Sequence, residues 1–194
     1  MSTDAEIIER SLTAPAAFGQ LYERHARAVH RYASRRVGPD AADDVMSETF
    51  LVAFDRRRRF DPVWADARPW LLGIATNLLK AHRRVEARLW NATLAEAARD
   101  VVDGGEHPVG RSDDRMDAAR AVEALVPALT RMRAGDRDAL LLHAWGDLDY
   151  AQIAQALGVP IGTVRSRLNR ARLQLRTAAP SDISTKSGRE PWMS

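Results

Sequence analysis

The sequence predicts an all-α protein built as two small helical domains, an N-terminal helical bundle and a C-terminal helix-turn-helix, joined by a flexible linker. Three observations carry this. Apolar residues recur at helical spacing over residues 18–88 and again over 116–176. Between them Gly104, Gly105, Pro108 and Gly110 gather with Glu96, Asp100, Asp103, Glu106, Asp113 and Asp114, the composition of an acidic linker. No useful length shows strand-like alternation. The resulting division is 1–90, a linker at 91–114, a second domain at 115–178, and a disordered tail at 179–194. At 194 residues the chain has room for this arrangement.

Composition removes several classes of function. With no cysteine, the chain can hold neither a disulfide scaffold, a thiolate zinc site nor a cysteine nucleophile. Residues 1–10 carry Asp4, Glu6 and Glu9 and no apolar core, unlike a secretory signal. No apolar run approaches the roughly 20 residues that cross a bilayer. The expectation is a soluble, cytoplasmic protein with no membrane insertion. Net charge is only +3, and lysine occurs only at Lys80 and Lys186, so the positive charge is nearly all guanidinium. Guanidinium grips phosphate in a fork, which makes the placement of arginine more informative than the total.

In the first domain, Phe18, Leu21, Tyr22, His25, Val29 and Tyr32 form one apolar stripe on a first helix. Gly38-Pro39-Asp40 breaks it, with Asp40 as a cap for a second helix reaching about residue 57. A loop follows at 60–67, containing Asp61-Pro62 and Trp64. A third helix begins near Pro69, with Leu71, Ile74, Ala75, Leu78 and Leu79 inward. Helical rotation puts Asn77, Lys80 and Arg84 on its opposite face with Arg83 at the flank. That strip could follow a nucleic-acid strand, although spacing alone favours the solvated face of an ordinary helix.

The second domain carries the strongest pattern. Tyr150, Ile153, Ala154 and Leu157 make a short helix. Gly158-Val159-Pro160 ends it, Gly158 suiting a left-handed turn. The next helix starts near Gly162-Thr163 and buries Val164, Leu168, Ala171 and Leu175. A helix, a tight glycine turn and a helix is the arrangement that sets its second helix in the major groove. Between Thr163 and Arg176 stand Arg165, Arg167, Arg170, Arg172 and Arg176 with no acid among them. Thr163, Ser166, Asn169 and Arg170 share the outward face, with Arg165 and Arg167 at its edges. These side chains can reach base edges and phosphates.

The stretch from Asp149 to Arg172, DYAQIAQALGVPIGTVRSRLNRAR, closely resembles region four of the extracytoplasmic-function (ECF) sigma factors of bacterial RNA polymerase. Three segments of the first domain resemble region two: FGQLYERH from Phe18, ADDVMSETFLVAF from Ala42, and PWLLGIATN from Pro69 onward to Arg84. The resemblance implies a protein that binds core RNA polymerase, directs it to promoter DNA and helps open the duplex, with no bond-making chemistry, cofactor or metal of its own. It matches Asp43, Asp44 and Glu48 to the segment that docks on the polymerase clamp. Asn77 matches a reader of the downstream promoter element. The loop from Phe60 to Ala67 matches one that receives an unstacked base, with Trp64 as a stacking platform or a packing residue, and the downstream surface continues over Lys80, Arg83 and Arg84. Arg56 to Arg59 could hold phosphates near that loop. Arg165, Ser166 and Arg170 match readers of the upstream element, within a surface of Thr163, Arg165, Ser166, Arg167, Asn169 and Arg170. Members of the family are often held inactive by an anti-sigma factor, frequently a membrane protein.

Two other classes compete. A stand-alone helix-turn-helix regulator would bind promoters without polymerase. An enzyme would need a site, yet His25, His30, His82, His107 and His143 lack metal-ligand spacing, and Asp43, Asp44 and Glu48 lack a phosphate-cradling loop.

Overall fold

A computed structural model describes residues 2–82, 86–90, 92 and 125–178. Among the described residues every regular element is helical: α1 (Asp4–Ser11), α2 (Gly19–Val37), α3 (Pro39–Arg56), α4 (Arg68–Leu79), α5 (Ala134–Ala144), α6 (Tyr150–Leu157) and α7 (Ile161–Ala178), with short 3-10 turns at Pro15–Phe18 and Arg57–Arg59. Residues 86–90 and 125–131 are also helical. The expected linker and tail fall mostly outside the described residues.

Among the described residues the first half opens with a helix, α1, that the sequence did not lead us to expect. α1 opens with a reciprocal cap: the Thr3 hydroxyl accepts from Glu6 N–H and the Glu6 carboxylate accepts from Thr3 N–H. Ile7 and Ile8, adjacent rather than spaced as a long stripe, are both buried. α2 buries Leu21, Val29 and Tyr32 as its stripe predicts, but Tyr22 turns outward and is 43% exposed. α3 begins at Pro39, which supplies the fixed φ of a first turn, after Gly38 at φ +86°. Asp40 therefore lies inside the first turn and makes no capping bond there. In the second half, α6 is capped by Asp149, whose carboxylate accepts from Gln152 N–H at 2.8 Å. It ends on Gly158 in the left-handed region, as the turn requires. α7 buries Val164, Leu168 and Ala171, while Leu175 is only half-buried.

The two halves share one continuous apolar cluster. The cause lies in α4, where Leu71, Leu72, Gly73, Ile74, Ala75 and Thr76 are all buried. A helix apolar nearly all round needs partners on both sides. α2 and α3 cover one side, and α6 covers the other. At the crossing a Cβ on Gly73 would sit 2.3 Å from the Ala156 carbonyl oxygen, so only glycine permits this approach.

Beside that crossing lies a buried set of charges. Arg36 on α2, 1% exposed, donates from Nε to Glu86 at 2.7 Å and from Nη2 to Asp138 on α5 at 3.3 Å. Its Nη1 donates to the Tyr32 hydroxyl at 3.1 Å. The Thr76 hydroxyl is committed to the Leu72 carbonyl, so Tyr32 in turn donates to Thr76, at 2.9 Å. Arg137 reaches the second Glu86 oxygen at 3.8 Å. Burial opposes the charge on Arg36, but Tyr32, Glu86 and Asp138 outweigh it and hold the guanidinium firmly protonated. Burial likewise pushes the Tyr32 phenol up.

Candidate nucleic-acid interface

Helical register places three surfaces. On α7, Arg165, Ser166 and Asn169 are exposed, with Thr163 half-buried at the start of the helix. The Ser166 hydroxyl donates to the Thr163 carbonyl at 2.9 Å, leaving its lone pairs outward. Arg167 and Arg170 instead lean towards α5. A Cβ on Gly135 would lie 3.0 Å from the Arg167 guanidinium carbon. Arg170 forks onto the buried Asp136 carboxylate at 2.8 and 3.0 Å. That paired hydrogen bond raises the Arg170 pKa. The guanidinium geometry suited to guanine is thus occupied within the protein, although half of the Arg170 side chain stays open to solvent.

The second surface is the loop at 60–67 with the exposed face of α4. Phe60 does not project into it. The ring is 8% exposed and packs edge-on against Trp70, centroids 5.2 Å apart, so it anchors the loop from below. Trp64 is half-buried against the core. The tip is Val63, 83% exposed, in a turn closed by Val63 N–H on Asp61 Oδ1 and Trp64 N–H on the Asp61 carbonyl. Asn77 and Lys80 are exposed one turn apart, and Lys80 Nζ donates to Asn77 Oδ1 at 2.6 Å, which leaves the amide NH₂ free to point outward. Arg83 and Arg84 lie outside the described residues. Of the arginine run, Arg57 folds back on its own helix, donating to the Phe54 carbonyl and stacking 3.8 Å from the Phe54 ring centroid. Arg56, Arg58 and Arg59 face solvent.

The third surface is α3. Asp43, Asp44 and Glu48 are exposed in adjacent turns, Asp43 lying 3.3 Å from His30. Beside them runs a feature the sequence reading missed. Leu51 is 67% exposed, and with Phe18, Tyr22, Ser47, Phe50 and Phe54 it lines an apolar groove of about 390 Å³. Tyr22 stands edge-on to Phe50 at 4.9 Å. The signal was present: Leu51 follows Ser47 by four and Glu48 by three, on the polar face of its helix.

Asp4, His25 and Asp66 bring three ligand atoms within 4.8 Å of one another. The donor set suits a hydrogen-bonded tie better than a cation. Both Asp4 oxygens already accept, one of them from the Arg24 guanidinium.

Residues 21–89 match the family described as Sigma-70 region 2, and residues 123–175 match Sigma-70, region 4. The chain is 32% identical to the ECF RNA polymerase sigma factor SigC of Mycobacterium tuberculosis, across 94% of this chain and 97% of the relative. This chain belongs to the ECF family of RNA polymerase sigma factors. Among other sigma-factor relatives, HrpL of Pseudomonas syringae is 30% identical over 86% of this chain and 89% of its own. CnrH in complex with the cytosolic domain of CnrY shares the ECF sigma factor's fold at a TM-score of 0.57, with 26% identity over 90% of this chain and 95% of CnrH. The sigma factor RpoE in complex with the anti-sigma factor NepR from Bartonella quintana shares the fold alone, at a TM-score of 0.52 and 23% identity over 83% and 95% of the two chains. The exposed residues of α7 lie in the region-four match, and the loop, α4 and α3 lie in the region-two match.

Proposed function

We propose that this ECF sigma factor docks on core RNA polymerase through the acidic and apolar face of α3, receives an unstacked base of the downstream promoter element at the loop 60–67, and reads the upstream element with α7. The single observation that carries this reading is the coexistence in one chain of two exposed surfaces that pair amide or hydroxyl groups with cations, on α4 and α7, with a third, acidic surface on α3. Asp43, Asp44 and Glu48 would steer a basic partner helix, and the groove beside Leu51 would take its apolar side chains. On α4, Asn77 offers a donor to a base edge and Lys80, just past its end, a cation to a neighbouring phosphate; Arg83 and Arg84, proposed from the sequence for the same role, lie outside the described residues. On α7, Arg165, Ser166 and Asn169 are already free, whereas Arg167 and Arg170 must leave α5 to join them. Phe60 serves by holding the loop, and the half-buried edge of Trp64 borders the base.

On this reading the protein performs no bond-making chemistry, takes no cofactor, and works in the cytoplasm beside the polymerase. Among the described residues no helix is long and apolar enough to cross a membrane. A proteinaceous anti-sigma factor is the expected regulator, as for RpoE with NepR. Run-off transcription with purified core polymerase tests the whole reading. The expected result is transcript from a cognate promoter only when both proteins are present. Sequence-specific promoter binding with no polymerase complex and no transcript would instead make the chain a stand-alone regulator. Within the active complex, Asn77→Ala should alter base preference at the downstream element and leave polymerase affinity unchanged.

A further inference from the structure

The loop at 60–67 is clamped at both ends and open at its tip. Phe60 anchors the first end under Trp70. The second end is held from α1, the helix that sequence periodicity did not reveal. Asp4 N–H donates to the Ala65 carbonyl at 3.1 Å, and Ala67 N–H donates to Asp4 Oδ2 at 2.9 Å, so one residue brackets Asp66 from both sides. Asp4 is fixed in turn by α2. Arg24 Nη1 donates to Oδ1 at 2.9 Å, and His25 Nε2 lies 2.6 Å from Oδ2. Asp4 is 5% exposed, its carboxylate accepts three hydrogen bonds, and the reciprocal cap at Thr3 and Glu6 sets the end of the helix that carries it.

We propose that Asp4 is a positioning residue for promoter opening, holding the C-terminal end of the loop 60–67 in the shape that accepts an unstacked base. The proposal rests on the assignment of that loop as the base-receiving element. Its physical content is preorganisation. Capturing an extruded base must offset the cost of unstacking it, and a loop that has to be ordered at the same moment adds to that cost. A charged carboxylate, itself buried, that accepts from a backbone N–H, a guanidinium and an imidazole is a stiff anchor, because each bond is charge-assisted. An amide of the same shape turns one acceptor into a donor that faces Arg24 or His25, themselves donors. Asp4→Asn therefore loosens the anchor without changing its volume.

The experiment uses the full chain assembled with core polymerase. Three affinities are measured by fluorescence anisotropy: for core, for a duplex carrying only the upstream element, and for a fork-junction DNA whose downstream non-template strand is single. Permanganate reactivity on a full promoter reports opening. Asp4→Asn should weaken fork-junction binding about tenfold, the scale of one charge-assisted hydrogen bond, and reduce opening in parallel. Core and upstream-duplex affinities should stay within about twofold. Arg24→Met, which removes one of the three donors, should fall between Asp4→Asn and the parent. Glu9→Gln, exposed on the same helix, should change nothing. A uniform loss across all three affinities, with a lowered melting temperature, would reduce Asp4 to a general fold contact and overturn the proposal. Unchanged fork-junction binding in Asp4→Asn would also overturn it, provided that replacing residues 61–63 with glycine still impairs opening. If the glycine loop opens promoters normally, the assignment of the loop itself fails, and the proposal with it.

Discussion

Arg36 and Arg170 each tie together helices remote in the chain, and they do so in opposite surroundings. Arg36 is sealed between the halves, all three of its guanidinium nitrogens bonded, to Glu86, Asp138 and Tyr32. Arg170 lies at the surface of α7, forked onto Asp136 with half its side chain in water. The same functional group is a fixture in one place and an exchangeable contact in the other. Desolvation makes the difference. A buried guanidinium cannot lose a partner without stranding a charge, whereas an exposed one replaces a carboxylate with water or phosphate at little cost.

The largest effect should come from the sealed member. Arg36→Met leaves Asp138 without its cation and Glu86 with Arg137 alone, at 3.8 Å, and should lower unfolding free energy by about 3–5 kcal/mol in urea denaturation. A loss below about 1 kcal/mol would mean that water reaches the junction and the contrast with Arg170 disappears. Next comes Asp4, whose tie is buried like Arg36 but small. Burial raises its pKa, yet His25, the Ala67 N–H and Arg24 more than reverse this and lower it from 3.8 to about 2. A carboxyl depressed in the folded state stabilises above its unfolded pKa and loses that contribution as pH falls through the folded value. About 2.5 kcal/mol should therefore vanish between roughly pH 4 and pH 2. Asp4→Asn should flatten this window. Urea melts across that range measure it.

Gly73→Ala probes the same junction without charge. A Cβ forced against the Ala156 carbonyl should cost about 1–3 kcal/mol and shift α4 from α6. An unchanged melting temperature would show that the two helices part freely. The smallest effect on stability should come from the pair whose guanidinium is half in water. Asp136→Asn frees Arg170, hardly moves the melting temperature and strengthens upstream-element binding a few-fold, if α7 takes its guanidinium to DNA. Arg170→Ala should weaken that binding roughly tenfold to a hundredfold at the cognate sequence. An equal loss on every sequence would make it a phosphate contact instead.

Legibility followed the same divide between local and remote. The turn at Gly158, the stripe of Ile153, Val164 and Leu168, and the outward set of Arg165, Ser166 and Asn169 all follow from rules spanning a few residues, and the structure places each as read. Asn77 and Lys80 came out on the open face of α4 for the same reason. α1 was missed because Ile7 and Ile8 stand side by side, though Thr3 and Glu6 spelled its cap. Phe60 read as a DNA-contacting residue of its loop because nothing local pairs it with Trp70, ten positions on. Arg36 was one arginine in a basic helix until Asp138, 102 residues later, gave it a partner. Nor does periodicity show that Arg170 answers to Asp136.

The junction at Gly73 and Arg36 sets the terms on which the halves can separate. If α4 and α7 each engage a promoter element, as proposed, and the elements lie apart along a duplex, α6 has to leave α4. Were the seam leucine throughout, parting it would expose oil to water with nothing returned. Here four ionised groups are rehydrated on opening, and that hydration recovers part of the work of lifting α6 away. The clasp is firm when dry and forgiving once wet.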